Sequence, residues 1–223
     1  MNAAVAGLSG ELVWRALEAG DLDAIYALHR AAIGEAVRPE IVKPESRDFF
    51  AGILAGRGRM IGVFLDDVLI AYGVLQHALP DYDDPRPHLG LAADAPIAKL
   101  AGASVAQPYR GRSLQRALIA ARVAMAPESH ILFATSAPAN TPSWTNLLAE
   151  GFAVRALRPY YGGHLRYVMV RDGTRVVSRA ERLVVPADAG TQSALLAAGW
   201  RGVEARSVKG EPHILYVSEH ADA

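Results

Sequence analysis

The chain predicts an α/β fold of the α+β kind, a mixed sheet flanked by helices, on three observations. β-rich apolar runs alternate with segments of helical period along most of its length. Two of those runs, 60–65 and 68–76, meet across Asp66-Asp67, the signature of a hairpin. A buried strand at 98–105 then leads through a basic turn into an apolar helix at 114–125. With 223 residues, 51% of them apolar, the chain is long enough for one large core, or for one core and a small appendage.

Residues 11–15 read as a short strand. Asp21 or Asp23 starts a helix, because Ile25, Leu28, Ala32 and Ile33 recur at helical spacing. A second helix covers 46–54 and stops at Gly56-Arg57-Gly58. Beyond the hairpin, residues 78–96 carry four prolines together with Asp81, Asp83, Asp84 and Asp94, and read as a long loop of the kind that is often functional. A strand at 131–135 follows the 114–125 helix. The next helix begins at Asn140, a good N-cap, and ends at Gly151-Phe152, where glycine suits the left-handed C-terminal position. Strands at 154–157 and 166–171 pair around the loop Pro159-Tyr160-Tyr161-Gly162-Gly163.

The last fifty residues repeat part of this pattern. In the window 138–152 set against 186–200, an offset of 48, six of fifteen positions are identical, and Asn/Asp, Ser/Thr and Phe/Trp exchanges fall among the rest. Either a strand-helix-strand-strand unit is duplicated or generic boundary signals recur; the predicted local structure is the same. A unit with one apolar helix and two strands cannot bury itself alone, so it packs on the main sheet or on a second subunit, and a homodimer is one expectation.

Composition narrows the chemistry. With no cysteine there is no disulfide, thiolate zinc site or cysteine nucleophile, and the seven histidines show no paired ligand spacing, so no metal is predicted. No apolar run reaches the roughly 20 residues of a bilayer span and no leader pattern opens the chain, so a cytoplasmic protein without a membrane partner is expected. Net charge is zero but unevenly spread. Residues 1–104 hold nine Lys/Arg against fourteen Asp/Glu, residues 105–182 eleven against four, and residues 183–223 three against five. The basic middle suits a polyanionic ligand, or a solvated arginine-rich surface.

That basic stretch contains Val105-Ala106-Gln107-Pro108-Tyr109-Arg110-Gly111-Arg112-Ser113-Leu114-Gln115. N–H groups in the first turn of a helix lack intrahelical partners, and the helix dipole adds about half a positive charge, so an anion is favoured there. Arg110 and Arg112 add formal charge. The run resembles the donor-binding turn of the GNAT acetyltransferase superfamily, Val-x-Pro-x-Tyr-Arg-Gly-x-Gly-x-Gly followed by Leu-Ile, which holds the pyrophosphate of acyl-CoA. It departs from that pattern at Ser113 and Gln115, where the family has glycine or a small residue. Asn140 and the helix closed by Gly151-Phe152 resemble the second GNAT motif, and the strand and Ala-Gly-Asp-Leu-Asp-Ala-Ile at the start resemble a GNAT N-terminus. Together the likeness spans residues 11 to about 172.

The resemblance implies a mostly antiparallel sheet, splayed at the acyl-donor cleft. Residues 1–174 would form a GNAT acyltransferase domain and 175–223 a C-terminal extension that partly repeats the second motif. It implies acetyl-CoA or another acyl-CoA as co-substrate, held by Ser104, Val105, Gln107, Arg110, Gly111, Arg112, Ser113, Leu114, Gln115, Asn140 and Ser143. Backbone N–H groups within 102–107 would polarise the thioester carbonyl. The amine of a small molecule attacks directly, with a base to take its proton and an acid to protonate the leaving thiolate. The family's acid, a tyrosine seven residues after the motif-two asparagine, is Leu147 here, so Tyr160 or Tyr161 is the substitute, although paired tyrosines before Gly-Gly also suit hairpin packing. The 98–105 strand has no acidic residue, which leaves His77 and the aspartates of 78–96 as candidate bases. Two other readings stand. Aminoacyl-tRNA or an acyl carrier protein would be the donor if Arg155, Arg158, Arg166, Arg171, Arg175, Arg179 and Arg182 formed a phosphate-binding surface. A non-catalytic acyl-CoA-binding or assembly module is the third.

Overall fold

The computed structural model describes residues 10–34, 38–173 and 179–218. In chain order the elements are β1 (Leu12–Ala16), α1 (Leu22–Ile33), α2 (Arg47–Gly52), β2 (Gly58–Leu65), β3 (Val68–Gln76), α3 (Arg86–Leu89), β4 (Ile97–Val105), α4 (Leu114–Met125), β5 (Ile131–Ser136), α5 (Thr141–Ala149), β6 (Ala153–Tyr160), β7 (His164–Arg171), β8 (Ala180–Val184), α6 (Ala189–Ala197), β9 (Arg201–Val208) and β10 (Glu211–Ser218). The mixed α/β class holds. None of the described helices is long and apolar enough to cross a membrane. The chain divides into two compact units. The first comprises Met1–Val37, Pro44–Pro80 and Ala98–Glu128; the second comprises Arg38–Lys43, Asp81–Ile97 and Ser129–Ala223.

In the first unit, strands run in the order β1-β2-β3-β4, each pair antiparallel. Asp66 and Asp67 both have positive φ, 49° and 63°, which is the twist a two-residue hairpin turn requires. The sheet is covered on both faces. Ile25 and Leu28 of α1 and Phe50 of α2 pack with Met60, Phe64, Tyr72 and Val74 on one face. Leu114 and Leu118 of α4 pack with Val63, Ile70 and Ala71 on the other. The β3–β4 ladder shifts register between Gly73 and Leu75: Gly73 faces Ala103 and Leu75 faces Leu100, so Ala101 and Gly102 together oppose Val74. This is a β-bulge on β4, the strand that leads into the basic turn.

In the second unit, the strand order is β5-β7-β6-β9-β10-β8, again with antiparallel neighbours. Its two halves match element by element. Helix α6 lies 48 residues after α5 at both ends, and β9 lies 48 after β6. Asn140 and Asp188 cap their helices with near-identical dihedrals (φ −91°, ψ 66° and φ −84°, ψ 72°), each side chain accepting from the N–H three residues on. Gly151 and Gly199 close the helices at φ 82° and 84°. Trp144 and Gln192, also 48 apart, both reach back to a proline carbonyl, Nε1 to Pro138 and Nε2 to Pro186. The β6–β7 register shifts between Val154 and Ala156, and the β9–β10 register shifts at the corresponding place, so the matching runs through a bulge.

The halves meet where β6 pairs with β9, Val154 opposite Gly202. These positions are themselves 48 apart, so the axis relating the halves passes between them. Of the two packing partners the sequence leaves open to the C-terminal unit, β9 takes its own chain's sheet. Strands also run further than their apolar runs predict: β6 and β7 extend to Tyr160 and from His164, which reduces the expected loop to a tight turn. The segment 78–96 contains a short 3-10 turn at Asp81–Asp83 and helix α3, where the sequence predicts only loop.

Candidate functional site

The turn after β4 begins with the 3-10 segment Gln107–Tyr109 and enters α4 through Gly111 (φ 76°) and Ser113 (φ 61°, ψ 8°). The first bond of the helix ladder runs from Ala117 N–H to Ser113 O, 3.0 Å, so the N–H groups ahead of it lie outside that ladder. Ser113 adopts the left-handed region that glycine occupies without steric cost, which is the physical reason for glycine at that place. Its side chain makes no capping bond and is exposed. Leu114 is buried against Val63 and Leu118, while Gln107 and Gly111 are exposed and Arg112 and Gln115 half-buried. The Arg110 guanidinium turns back onto the protein: Nε donates to Val105 O at 3.1 Å, and one terminal nitrogen donates to Ala32 O at 2.8 Å near the end of α1. Arg110 therefore shapes the turn by tying β4 to α1.

A buried polar chain crosses the same unit toward β4. The Glu45 N–H donates to Nε2 of His29 at 2.9 Å, so the neutral ring keeps its proton on Nδ1, which faces the Tyr72 hydroxyl at 2.9 Å. Ser104 Oγ donates to the same hydroxyl at 3.2 Å. Burial holds the His29 pKa below its ordinary value, with the neighbouring Arg30 charge adding to the effect. Burial likewise pushes the Tyr72 hydroxyl up, partly offset by Ser104 and reinforced by the Glu45 carboxylate. Glu45 itself is half-buried beside the bulge: a Cβ built on Gly102 would sit 3.9 Å from its Cγ. From the helix side, Arg122 reaches the bulge, donating to Leu118 O, Val74 O and Ala101 O at 3.0, 3.4 and 3.2 Å.

The second unit holds the remaining predicted residues except His77. Asn140 caps α5 and accepts from Ser143 N–H at 3.3 Å. Leu147 is buried. Tyr161 sits in the β6–β7 turn at φ 49°, donating to Asp83 Oδ1 at 2.9 Å and bonded to Thr135 Oγ1 at 3.2 Å, with Lys43 Nζ 4.8 Å above its ring. Burial first, and the Asp83 charge second, push its pKa up. Tyr160 has an enclosed hydroxyl with no hydrogen-bond partner among the described residues, and burial pushes it up to about 12. The Tyr160 hydroxyl is enclosed, and the Tyr161 hydroxyl is committed to Asp83. His77, in the first unit, follows β3, where Gln76 pairs with Lys99, so it stands at the far end of β4 from the basic turn.

The basic stretch is not one free surface. Arg155 pairs with Asp172 at 2.7 Å, and buried Arg166 donates to the carbonyls of Pro39, Glu40 and Leu165. Arg175 lies outside the described residues.

No family model and no curated protein matches the chain. Solved structures do. The ribosomal-protein-S18-alanine N-acetyltransferase from Escherichia coli is 19% identical, with 72% of this chain and 92% of that one covered at a TM-score of 0.53. The phosphinothricin acetyltransferase of Sinorhizobium meliloti, in complex with acetyl-CoA, gives 17%, 71%, 86% and 0.54. Arabidopsis thaliana NAA60, in complex with a bisubstrate analogue, gives 18%, 72%, 97% and 0.55. The chain has the GNAT fold.

Within that fold, sequence reading finds the turn and the α5 cap, but misses the residues around the bulge. Glu45 lies in a segment without periodicity. Arg122 carries a readable signal, since 114, 118 and 122 share the apolar stripe of α4. Gly73 inside β3 is a second, because a strand-interior glycine marks a bulge or a close approach. A Cβ there would lie 2.8 Å from Arg122 Nε.

Proposed function

We propose that the chain is an acyltransferase that moves an acetyl or other acyl group from acyl-CoA to the amine of a small molecule by direct attack. The observation that carries this reading is the bulge at Ala101–Gly102, which is followed by a left-handed turn into α4 and flanked by the Glu45 side chain. The site residues fit acyl-CoA: the turn leaves Gly111 with open space around it, and the start of α4 favours the pyrophosphate. Acyl-CoA supplies the activated acyl carbon. Gly102, lacking a side chain, leaves its backbone approachable, and its N–H polarises the thioester carbonyl. Glu45 takes the proton of the incoming amine. With the Tyr160 hydroxyl enclosed and the Tyr161 proton already donated to Asp83, the leaving thiolate takes its proton from solvent. The acidic balance of residues 1–104 supports a cationic amine as acceptor.

The test is calorimetric titration with acetyl-CoA, followed by thiol release across a panel of amines. Micromolar binding and turnover of any amine are expected, and turnover excludes the non-catalytic module. Glu45→Gln should lower kcat by about 10²- to 10³-fold with unchanged acetyl-CoA affinity. Tyr160→Phe and Tyr161→Phe should leave kcat within about threefold, and a larger fall in either would return the acid role to that tyrosine. Absence of any acetyl-CoA binding would remove the reading.

A further inference from the structure

Arg122 is 3% exposed, and among the described residues every acceptor of its guanidinium is a backbone carbonyl. Two of those carbonyls, Val74 and Ala101, belong to the residues that the bulge withdraws from regular β3–β4 pairing. A buried cation without a carboxylate is costly, and burial lowers its pKa to about 10. A neutral amide could bond the Val74 and Ala101 oxygens without burying a charge, so the cation adds something that plugging the bulge does not require.

The position of the charge matters because of one peptide unit. Ala101 C=O and Gly102 N–H are the two ends of the same trans peptide, so they point in opposite directions. Arg122 donates to the carbonyl end, and the N–H end therefore points away from it. A charged donor on a peptide oxygen draws electron density from the nitrogen, which makes the N–H a stronger donor, and hydrogen bonds in a chain strengthen one another by roughly 10–30% each. The full positive charge adds a field of the same sign. Gly73 keeps the place open for it, since a Cβ there would collide with Nε.

We propose that Arg122 is a positioning and polarising residue that acts through the Ala101–Gly102 peptide, making the Gly102 N–H a stronger donor to the acyl carbonyl. The inference rests on the acyl-CoA reading. It adds a buried charge, on the opposite side of the strand from the ligand, to the groups that set the rate.

The experiment uses the full chain and acetyl-CoA labelled with carbon-13 at the carbonyl, reading the bound carbonyl stretch by difference infrared spectroscopy beside Kd and kcat. In the wild type the band should shift to lower frequency on binding. In Arg122→Met it should move back toward the free position while Kd for acetyl-CoA stays within about threefold, and kcat should fall about tenfold, less than the 10²–10³ of losing a direct donor. Arg122→Lys, which keeps a cation, should recover part of both. Gly73→Ala displaces the guanidinium without removing it and should shift the band in the same direction, which covers the case of Arg122→Met failing to fold. An unchanged band in folded Arg122→Met or Gly73→Ala would reduce Arg122 to a plug of the bulge and overturn the inference alone. A wild type that binds no acetyl-CoA would overturn the acyl-CoA reading and this inference with it.

Discussion

Ser113 shows how one residue records a constraint of the backbone. Its φ of 61° lies where a Cβ approaches the following carbonyl, at a cost of about 1 kcal/mol that glycine avoids. Ser113→Gly should therefore stabilise the protein by about 1 kcal/mol, read as a rise of about 2–4 °C in thermal unfolding for a chain of this size. Acetyl-CoA affinity should rise or hold; a loss would show that the hydroxyl binds a phosphate oxygen. The glycine preference is legible in the sequence only as a departure from a pattern, and its physical cause becomes visible with the dihedral. His29 makes a second prediction. Its Nε2 accepts the Glu45 N–H, so a proton there would face another donor, and its folded pKa is lowered. The unfolded chain takes up the proton near pH 6.5 while the folded chain refuses it, so stability falls as pH drops below about 6.5. Urea unfolding at pH 7.5 and 5.5 should show this loss, and His29→Gln, which can still accept from Glu45 and donate to Tyr72, should lose less between the two pH values. Equal pH dependence in both proteins would count against the neutral, buried ring.

At the scale of elements, whatever depends on local chemistry was legible and whatever depends on register was not. The 60–76 hairpin follows from two apolar runs and a two-residue turn, and the caps of α5 and α6 follow from Asn140, Asp188 and their glycines. The β4 bulge is marked in the β4 sequence only by the strand-interior Gly102; its place is set by how nine residues of β4 are matched to those of β3. For the same reason Glu45 and Arg122, which meet β4 at the bulge, and His29, which reaches Tyr72 of β3, carry no common signal along the chain. The hairpin turn makes the element's own prediction. Asp66 and Asp67 both pay the left-handed cost that Asn-Gly largely avoids, so the double substitution Asp66→Asn with Asp67→Gly should stabilise by about 1 kcal/mol. Chemical denaturation checks it, and a loss of stability would mean that the carboxylates hold the turn through interactions outweighing its backbone strain.

For the whole molecule, the repeated helix signals were readable at 138–152 and 186–200, but the way the two halves join was not. Antiparallel pairing of β6 with β9 sets Val154 against its own counterpart, Gly202, at a crowded position. A Cβ added to Gly202 would come within 3.1 Å of Val154 Cβ and 2.8 Å of Ile214 Cγ2. Glycine is needed there because a self-paired position on an axis brings two equivalent side chains together, and one of them must be small. Gly202→Ala should cost about 1–3 kcal/mol by overpacking, and Val154→Ala a comparable amount by leaving a gap. Combined, the two should cost less than their sum by about 0.5 kcal/mol, since Val154→Ala removes the Cγ2 that would lie 3.2 Å from the new methyl while the Ile214 contact stays. A double-mutant cycle by urea denaturation measures that difference. Strict additivity would mean that the strain of the added methyl falls on Ile214 and not on Val154, and the self-paired position would then not be what requires glycine.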